Sequence, residues 1–249
     1  MNSYVIEVED VSKSFGGVVA NEGISLKVSD GKITGLIGPN GSGKTTLFNS
    51  IVGYHPIDSG SIKFKGEEIS ALRVPQIARR GLLRTFQQTR IYSNMNCIEN
   101  MLISIPHRKM NFGDMFGERE DKATMDDVDR LLDFVGLYEK RRLRSGDLSF
   151  GQQKLLEFAM ALMNKPEVLL LDEPTAGINP TLINGLIDRL RRANEEFGIT
   201  LFVIEHNMRV IMNMAESIYC LAHGELLAHG SPDEIQNDQR VIDAYLGAH

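Results

Sequence analysis

Short apolar runs broken by turn residues open the chain. From Tyr4 to Val28 they are interrupted at Gly16-Gly17, and Ser29-Asp30-Gly31 follows, a pattern that predicts short strands in a small antiparallel unit. The character then changes. Ile33, Leu36 and Ile37 make an apolar run suited to a buried strand, and Leu47, Phe48, Ile51 and Val52 recur at a spacing that places them on one helical face. Gly53 and a turn from Pro56 to Gly60 lead to a strand over Ile62 to Phe64 and a hairpin-like turn at Gly66. A short helix from Val74 to Arg80 and a strand from Leu82 to Phe86 follow. Two further runs, Val168 to Leu171 and Leu201 to Ile204, are wholly apolar, as strands covered on both faces are.

Between Arg90 and Ser145 the strand pattern is replaced by a helical one. One helix is expected from about Cys97 to Ile105. A second is expected to start with Thr124 as its cap and Asp126 and Asp127 in its first turn, to place Val128, Leu131, Leu132 and Val135 on one face, and to stop at Gly136. The polar connector from Pro106 to Ala123 separates the two. Met95, Met101, Met110 and Met115 in this stretch suit either an adaptable docking face or an ordinary small core. Ser149 and Gln152 form a capping box ahead of Leu155, Leu156, Phe158, Ala159 and Leu162. Asn179 and Pro180 begin another helix, with Leu182, Leu186, Leu190, Ile183 and Ile187 as its buried stripe and Arg189, Arg191 and Arg192 on a solvated face. Strands around Gly224, a capped short helix at Ser231-Pro232-Asp233-Glu234 and a last helix from Val241 to Leu246 complete the chain and contribute packing without evident chemistry.

The alternation of apolar strands and amphipathic helices predicts an α/β fold with a mostly parallel central sheet, an N-terminal antiparallel β unit and a helical insertion. At 249 residues, 42% hydrophobic and 24% charged, the chain is long enough to bury a full core as one domain. A formal net charge of −6 argues against a broad electrostatic grip on nucleic acid. Cys97 and Cys220 are the only cysteines, far apart and without metal-ligand spacing, so two ordinary reduced thiols are expected. Acidic residues at Glu7, Glu9 and Asp10 do not suit a secretory signal, and no apolar run approaches the roughly 20 residues that span a bilayer. A soluble cytoplasmic polypeptide, or one held at a membrane through partners, is the expectation.

The chemistry centres on Gly38-Pro39-Asn40-Gly41-Ser42-Gly43-Lys44-Thr45-Thr46, set between the first buried strand and its helix. That spacing matches the phosphate-binding loop. Its glycines admit backbone N–H groups close to a polyphosphate, and the helix start adds a positive dipole end. Lys44 supplies a mobile charge for the β- and γ-phosphates, and the Thr45 hydroxyl is a ligand for Mg²⁺. Asp172 and Glu173 end an apolar strand at the edge where ligands sit in open α/β sheets. Neighbouring residues on an extended strand point apart, so Asp172 is expected to hold Mg²⁺ and Glu173 to act as general base toward water. His206 ends the next buried strand and points to the same edge. Phe15, beside a glycine turn, is either a core residue or a platform for a purine base. The helix start at Ser149 is either a second anion site or only a cap.

Together, Gly38 to Thr46, Gln87, Leu148 to Gln152, Asp172-Glu173 and His206 occur in the order and approximate spacing of the ATP-binding subunits of ABC transporters, and the resemblance covers essentially the whole chain. It implies a P-loop NTPase core over residues 1–89 and 160–249, with a helical subdomain over 90–159 that carries the signature motif. It further implies that Phe15 stacks on adenine, that Gln87 senses Mg²⁺ and couples to a membrane subunit, and that His206 contacts the γ-phosphate. Ser149, Phe150, Gly151 and Gln152 would meet the ATP of an opposite subunit, in a head-to-tail pair that closes on two nucleotides. Arg84-Thr85-Phe86-Gln87, Ile204 to Met208 and the ending Val241 to Gly247 are similar to the branched-chain amino acid importer branch. Membrane permease subunits, and a solute-binding protein indirectly, are the implied partners, at the cytoplasmic side of the membrane. Phe150 stands where the wider family has glycine and Asn179 where aspartate is common. Related subunits for urea, amides or lipopolysaccharide are the nearest alternative. A soluble ABC-type ATPase of translation or DNA repair lacks support, because neither a second ATPase half nor a long coiled coil is present. A phosphate-loop GTPase lacks it too, since no Asn-Lys-x-Asp stretch occurs.

Overall fold

The computed structural model describes residues 3–85, 91–105 and 122–246. The chain divides into two compact units: Met1–Arg84, Glu167–Thr175 and Leu190–His249 form the first, and Thr85–Pro166 with Ala176–Arg189 form the second.

In chain order the first unit begins with β1 (Tyr4–Phe15), β2 (Val18–Ser29), β3 (Ile33–Ile37), α1 (Lys44–Ile51), β4 (Ser59–Phe64), β5 (Glu67–Glu68), α2 (Val74–Ala78) and β6 (Leu82–Arg84). The expected short N-terminal strands are two strands of 12 residues each. Gly16 and Gly17, at φ 51° and 87°, turn one directly into the other. Register shifts between Val8 and Lys13, with Asp10 at φ 52° and Gly23 at φ 57°, let the pair bend without ending it. These strands form an antiparallel sheet in the order β2-β1-β4-β5.

The second unit contains α3 (Cys97–Ile103), α4 (Lys122–Phe134) and α5 (Phe150–Met163). The chain returns to the first unit at β7 (Val168–Asp172), and α6 (Pro180–Phe197) is divided between the units after Arg189. Then come β8 (Thr200–Ile204), α7 (Met208–Met214), β9 (Ser217–Ala222), β10 (Glu225–Gly230), α8 (Pro232–Asn237) and α9 (Gln239–Leu246). A six-stranded sheet runs β10-β9-β3-β8-β7-β6, parallel throughout except for the β9–β10 hairpin. β3, β7 and β8 are buried at every residue, which is why they read as unbroken apolar runs. One apolar cluster joins both sheets through α1, with the rings of Phe48 and Phe202 4.8 Å apart within it.

In the second unit α5 packs against α3 and α4, burying Met101, Val128, Leu131, Leu132, Leu156, Phe158 and Leu162. Met101 is thus a core residue and Met95 is half-buried, whereas Met110 and Met115 lie outside the described residues. Asn96 and Ser149 cap α3 and α5 with reciprocal bonds to Glu99 and Gln152.

Several sequence expectations need correcting. Thr124 lies in the first turn of α4 and not at its cap, because Lys122 and Ala123, both good helix formers, extend the helix past it. The apolar stripe of α6 is buried only from Leu186 onward; Leu182 is 49% exposed. Periodicity defines the apolar side of a helix, but neighbouring chain decides how much of that side is covered. Arg189 is not part of a solvated face. Its Nη1 donates to the Gly185 carbonyl at 2.7 Å, and it occupies space that a side chain at Gly136 would fill. The helices at Val74 and Cys97 end two residues early, at Ala78 and Ile103.

Candidate active site

β3 delivers the chain to Gly38 at φ 146°, a conformation restricted to glycine, and a Cβ there would lie 2.1 Å from the Leu221 carbonyl oxygen. Gly43, at φ 96°, is equally constrained, because a Cβ would lie 2.2 Å from the Ala20 carbonyl oxygen. The loop therefore closes tightly on β2 and β9, and α1 starts at Lys44. Lys44 is buried. Its ammonium donates to the carbonyls of Gly38 at 2.8 Å and Pro39 at 2.9 Å and to Ser42 Oγ at 3.3 Å. Burial pushes the ammonium below its ordinary pKa, and the charges of Glu173 and Asp172 partly restore it. Asn40, Gly41 and Thr45 are exposed, while Pro39 and Thr46 are half-buried.

Asp172 and Glu173, adjacent in sequence, have separate surroundings. Asp172 is buried, and its Oδ2 lies 2.5 Å from Arg84 Nη2. Its Oδ1 is buried with no hydrogen-bond partner among the described residues. Glu173 turns away through a left-handed backbone at φ 51°, held where its N–H donates to the Ile204 carbonyl at 3.0 Å. Its Oε1 lies 2.5 Å from Nε2 of His206. The loop after Glu173 is fixed by buried Glu205, which accepts from Thr175 N at 3.0 Å and Thr175 Oγ1 at 2.6 Å.

The residues present suit a magnesium ion. A buried carboxylate oxygen without a partner, at Asp172, belongs to the same unit as the exposed Thr45 hydroxyl. Among the described residues no cluster of three or more His, Cys, Asp or Glu side chains could hold a metal. A site with few protein ligands is what Mg²⁺ uses when phosphate oxygens and water supply the rest.

Phe15 is 43% exposed and is not a core residue. Its ring meets the His55 ring edge-on at 5.1 Å, and Lys13 Nζ lies 5.2 Å from its centroid. In the second unit, Ser149 Oγ accepts from Gln152 N, and Phe150 is exposed with its ring against Gly177, where a Cβ would lie 2.8 Å from it. Gly151 adjoins Leu182. Gln87 lies outside the described residues.

Three contributors escaped the sequence reading. Arg84 and Asp172 are 88 residues apart, and Arg84 also donates from Nη1 to Asn49 Oδ1. Asn21, from the β1–β2 hairpin, donates from Nδ2 to the Gly43 carbonyl at 3.2 Å. Tyr245 in α9 accepts at its hydroxyl from Gly38 N–H at 2.8 Å. Only the charge of Arg84 offered a signal, as a cation unlike its strand neighbours.

The chain is similar to known proteins over nearly its whole length. The ABC transporter family model matches residues 21–176, and a model described as branched-chain amino acid ATP-binding cassette transporter matches residues 225–249. The chain is 37% identical to the high-affinity branched-chain amino acid transport ATP-binding protein BraF of Pseudomonas aeruginosa, with 99% of each chain covered. It is 34% identical to LivG, described in the same words, of Escherichia coli K12, again over 99% of each. Among solved structures, an ATP-binding cassette of an ABC transporter in its ADP conformation superposes with a TM-score of 0.87 at 30% identity, covering 98% of this chain and 99% of that one. A nucleotide-free ATP-binding cassette from an ABC transporter gives 0.86 at 31% identity, covering 97% and 98%. The chain belongs to the ABC transporter family, as one of its ATP-binding cassettes.

Proposed function

We propose that this cassette hydrolyses ATP to drive import of branched-chain amino acids, working as the ATP-binding subunit of a membrane transporter. The observation that carries the reading is the meeting of Lys44, Asp172, Glu173 and His206 at the carboxyl ends of β3, β7 and β8. The relatives named for branched-chain amino acid transport, matched over 99% of their length, supply the solute class.

On this reading the loop from Gly38 to Thr46 cradles the phosphates, and Lys44 exchanges its carbonyl partners for phosphate oxygens. Thr45 and Asp172, with Gln87, would hold Mg²⁺, which neutralises phosphate charge when bound. Glu173 Oε1 takes a proton from the water that attacks the γ-phosphorus in line, and His206 orients that carboxylate through Nε2 and reaches the γ-phosphate. Phe15 offers its exposed ring to adenine. Residues 90–159 act as the helical subdomain, and residues 1–89 and 160–249 as the nucleotide-binding core. From the helical subdomain, Ser149, Phe150, Gly151 and Gln152 meet the ATP bound by a second cassette, and two cassettes close head to tail. No helix among the described residues is long and apolar enough to cross a membrane. On the same reading, attachment at the cytoplasmic face is through permease subunits, with a solute-binding protein acting beyond them.

The test is uptake of labelled leucine, isoleucine and valine in cells lacking this gene. Uptake is expected to fall and to return with the wild-type gene but not with Glu173→Gln. Undiminished uptake of all three, with loss of urea or amide uptake instead, would contradict the solute assignment.

A further inference from the structure

α9, the last described helix, touches the phosphate loop. Gly38 follows the last residue of β3 and is itself buried, so its N–H needs a partner inside the protein. The hydroxyl of Tyr245 provides it at 2.8 Å, across 207 positions of sequence. Burial pushes that hydroxyl up to about 12, so it stays protonated and uncharged beside the loop. The contact is not isolated, since Asp243 and Ala244 form one wall of a cleft of about 340 Å³ whose other walls include residues 39–42 of the loop. Val241, 1% exposed, anchors the same helix.

The peptide groups on either side of Gly38 are thus held from two directions. Tyr245 takes the N–H, and Lys44 donates to the carbonyl at 2.8 Å. The second hold is the one that must be given up when Lys44 turns to phosphate. We propose that Tyr245 is a positioning residue for nucleotide binding, a tether from α9 that keeps the start of the phosphate loop in place while Lys44 changes partners. This rests on the reading of residues 38–46 as an ATP-binding loop and adds the C-terminal helix to its support. Because Gly38 has a backbone open only to glycine and lies against Leu221, a loop released from Tyr245 has a free N–H to satisfy and shifts away from the geometry that fits phosphate.

The test compares wild type with Tyr245→Phe, which removes the hydroxyl and keeps the ring. Mg-ATP and Mg-ADP are titrated well below the melting temperature, and kcat and KM are measured alongside. Val128→Ala, which opens a cavity at a buried position of the second unit, outside α9 and the phosphate loop, reports what mere destabilisation does. The expected result for Tyr245→Phe is a Kd and KM raised about two- to tenfold, the range for one neutral hydrogen bond, with kcat within about twofold of wild type. Val128→Ala should lower the Tm and leave Kd unchanged. Wild-type affinity in Tyr245→Phe, or a loss of affinity equal in both variants and matched by loss of Tm, would overturn the tether. Failure of wild type itself to bind either nucleotide more tightly than Lys44→Ala would overturn the phosphate-loop reading first, and the tether with it.

Discussion

Arg84 and Asp172 form a buried ion pair, with Nη2 2.5 Å from Oδ2 and both side chains almost wholly excluded from solvent. The same guanidinium donates from Nη1 to Asn49, so it is gripped by α1 and β7 at once. Removing the cation strands a buried carboxylate. Arg84→Met is therefore expected to destabilise the protein by about 3–5 kcal/mol, and Arg84→Lys by less, because it keeps the charge and loses the fork. Urea unfolding measures both, and an Arg84→Met protein as stable as wild type would contradict the pairing.

Glu173→Gln keeps the shape of the side chain and removes the carboxylate proposed as base. Turnover should fall about 10²- to 10⁴-fold, the usual contribution of general-base catalysis, while ATP binding persists. Steady-state ATPase assays and nucleotide titration separate the two. Activity above a tenth of wild type would remove Glu173 from the role of base.

Lys44→Ala acts at the other step. The ammonium now bonded to the Gly38 and Pro39 carbonyls is the charge proposed to move to phosphate, so its loss should weaken nucleotide binding itself. Equilibrium titration with Mg-ATP checks this, and normal affinity would count against the loop assignment.

Cys97 and Cys220 are both fully buried, and burial pushes the Cys220 thiol up to about 11 and raises Cys97 as well. A raised pKa lowers the thiolate fraction at any given pH, and the thiolate is the reacting form. At pH 8 the native protein should show neither thiol reacting rapidly with a chromogenic disulfide, and two after unfolding. A fast-reacting thiol in the folded protein would contradict this packing.

What was legible in the sequence was contiguous. Gly38 to Thr46, Asp172-Glu173 and His206 are short patterns at the ends of apolar runs, and strand direction alone carries them to one edge. Pairings made by folding were not legible. Nothing local to Arg84 names Asp172, and Tyr245 lies in a helix that reads as packing alone. Phe15 stayed open between core and platform because a hairpin end is covered or bare according to its neighbours, here Lys13 and His55. Leu182 and Arg189 depart from the helical pattern for the same reason: periodicity assigns sides, while burial depends on what the rest of the chain brings to them.

Closure of two cassettes on ATP, as proposed, is read from the mass of purified Glu173→Gln protein by light scattering, with and without Mg-ATP. A monomer is expected without nucleotide and a dimer with Mg-ATP, reverting when Ser149 and Gly151 are replaced. A protein that binds Mg-ATP and stays monomeric at every concentration would contradict closure between two copies of this chain.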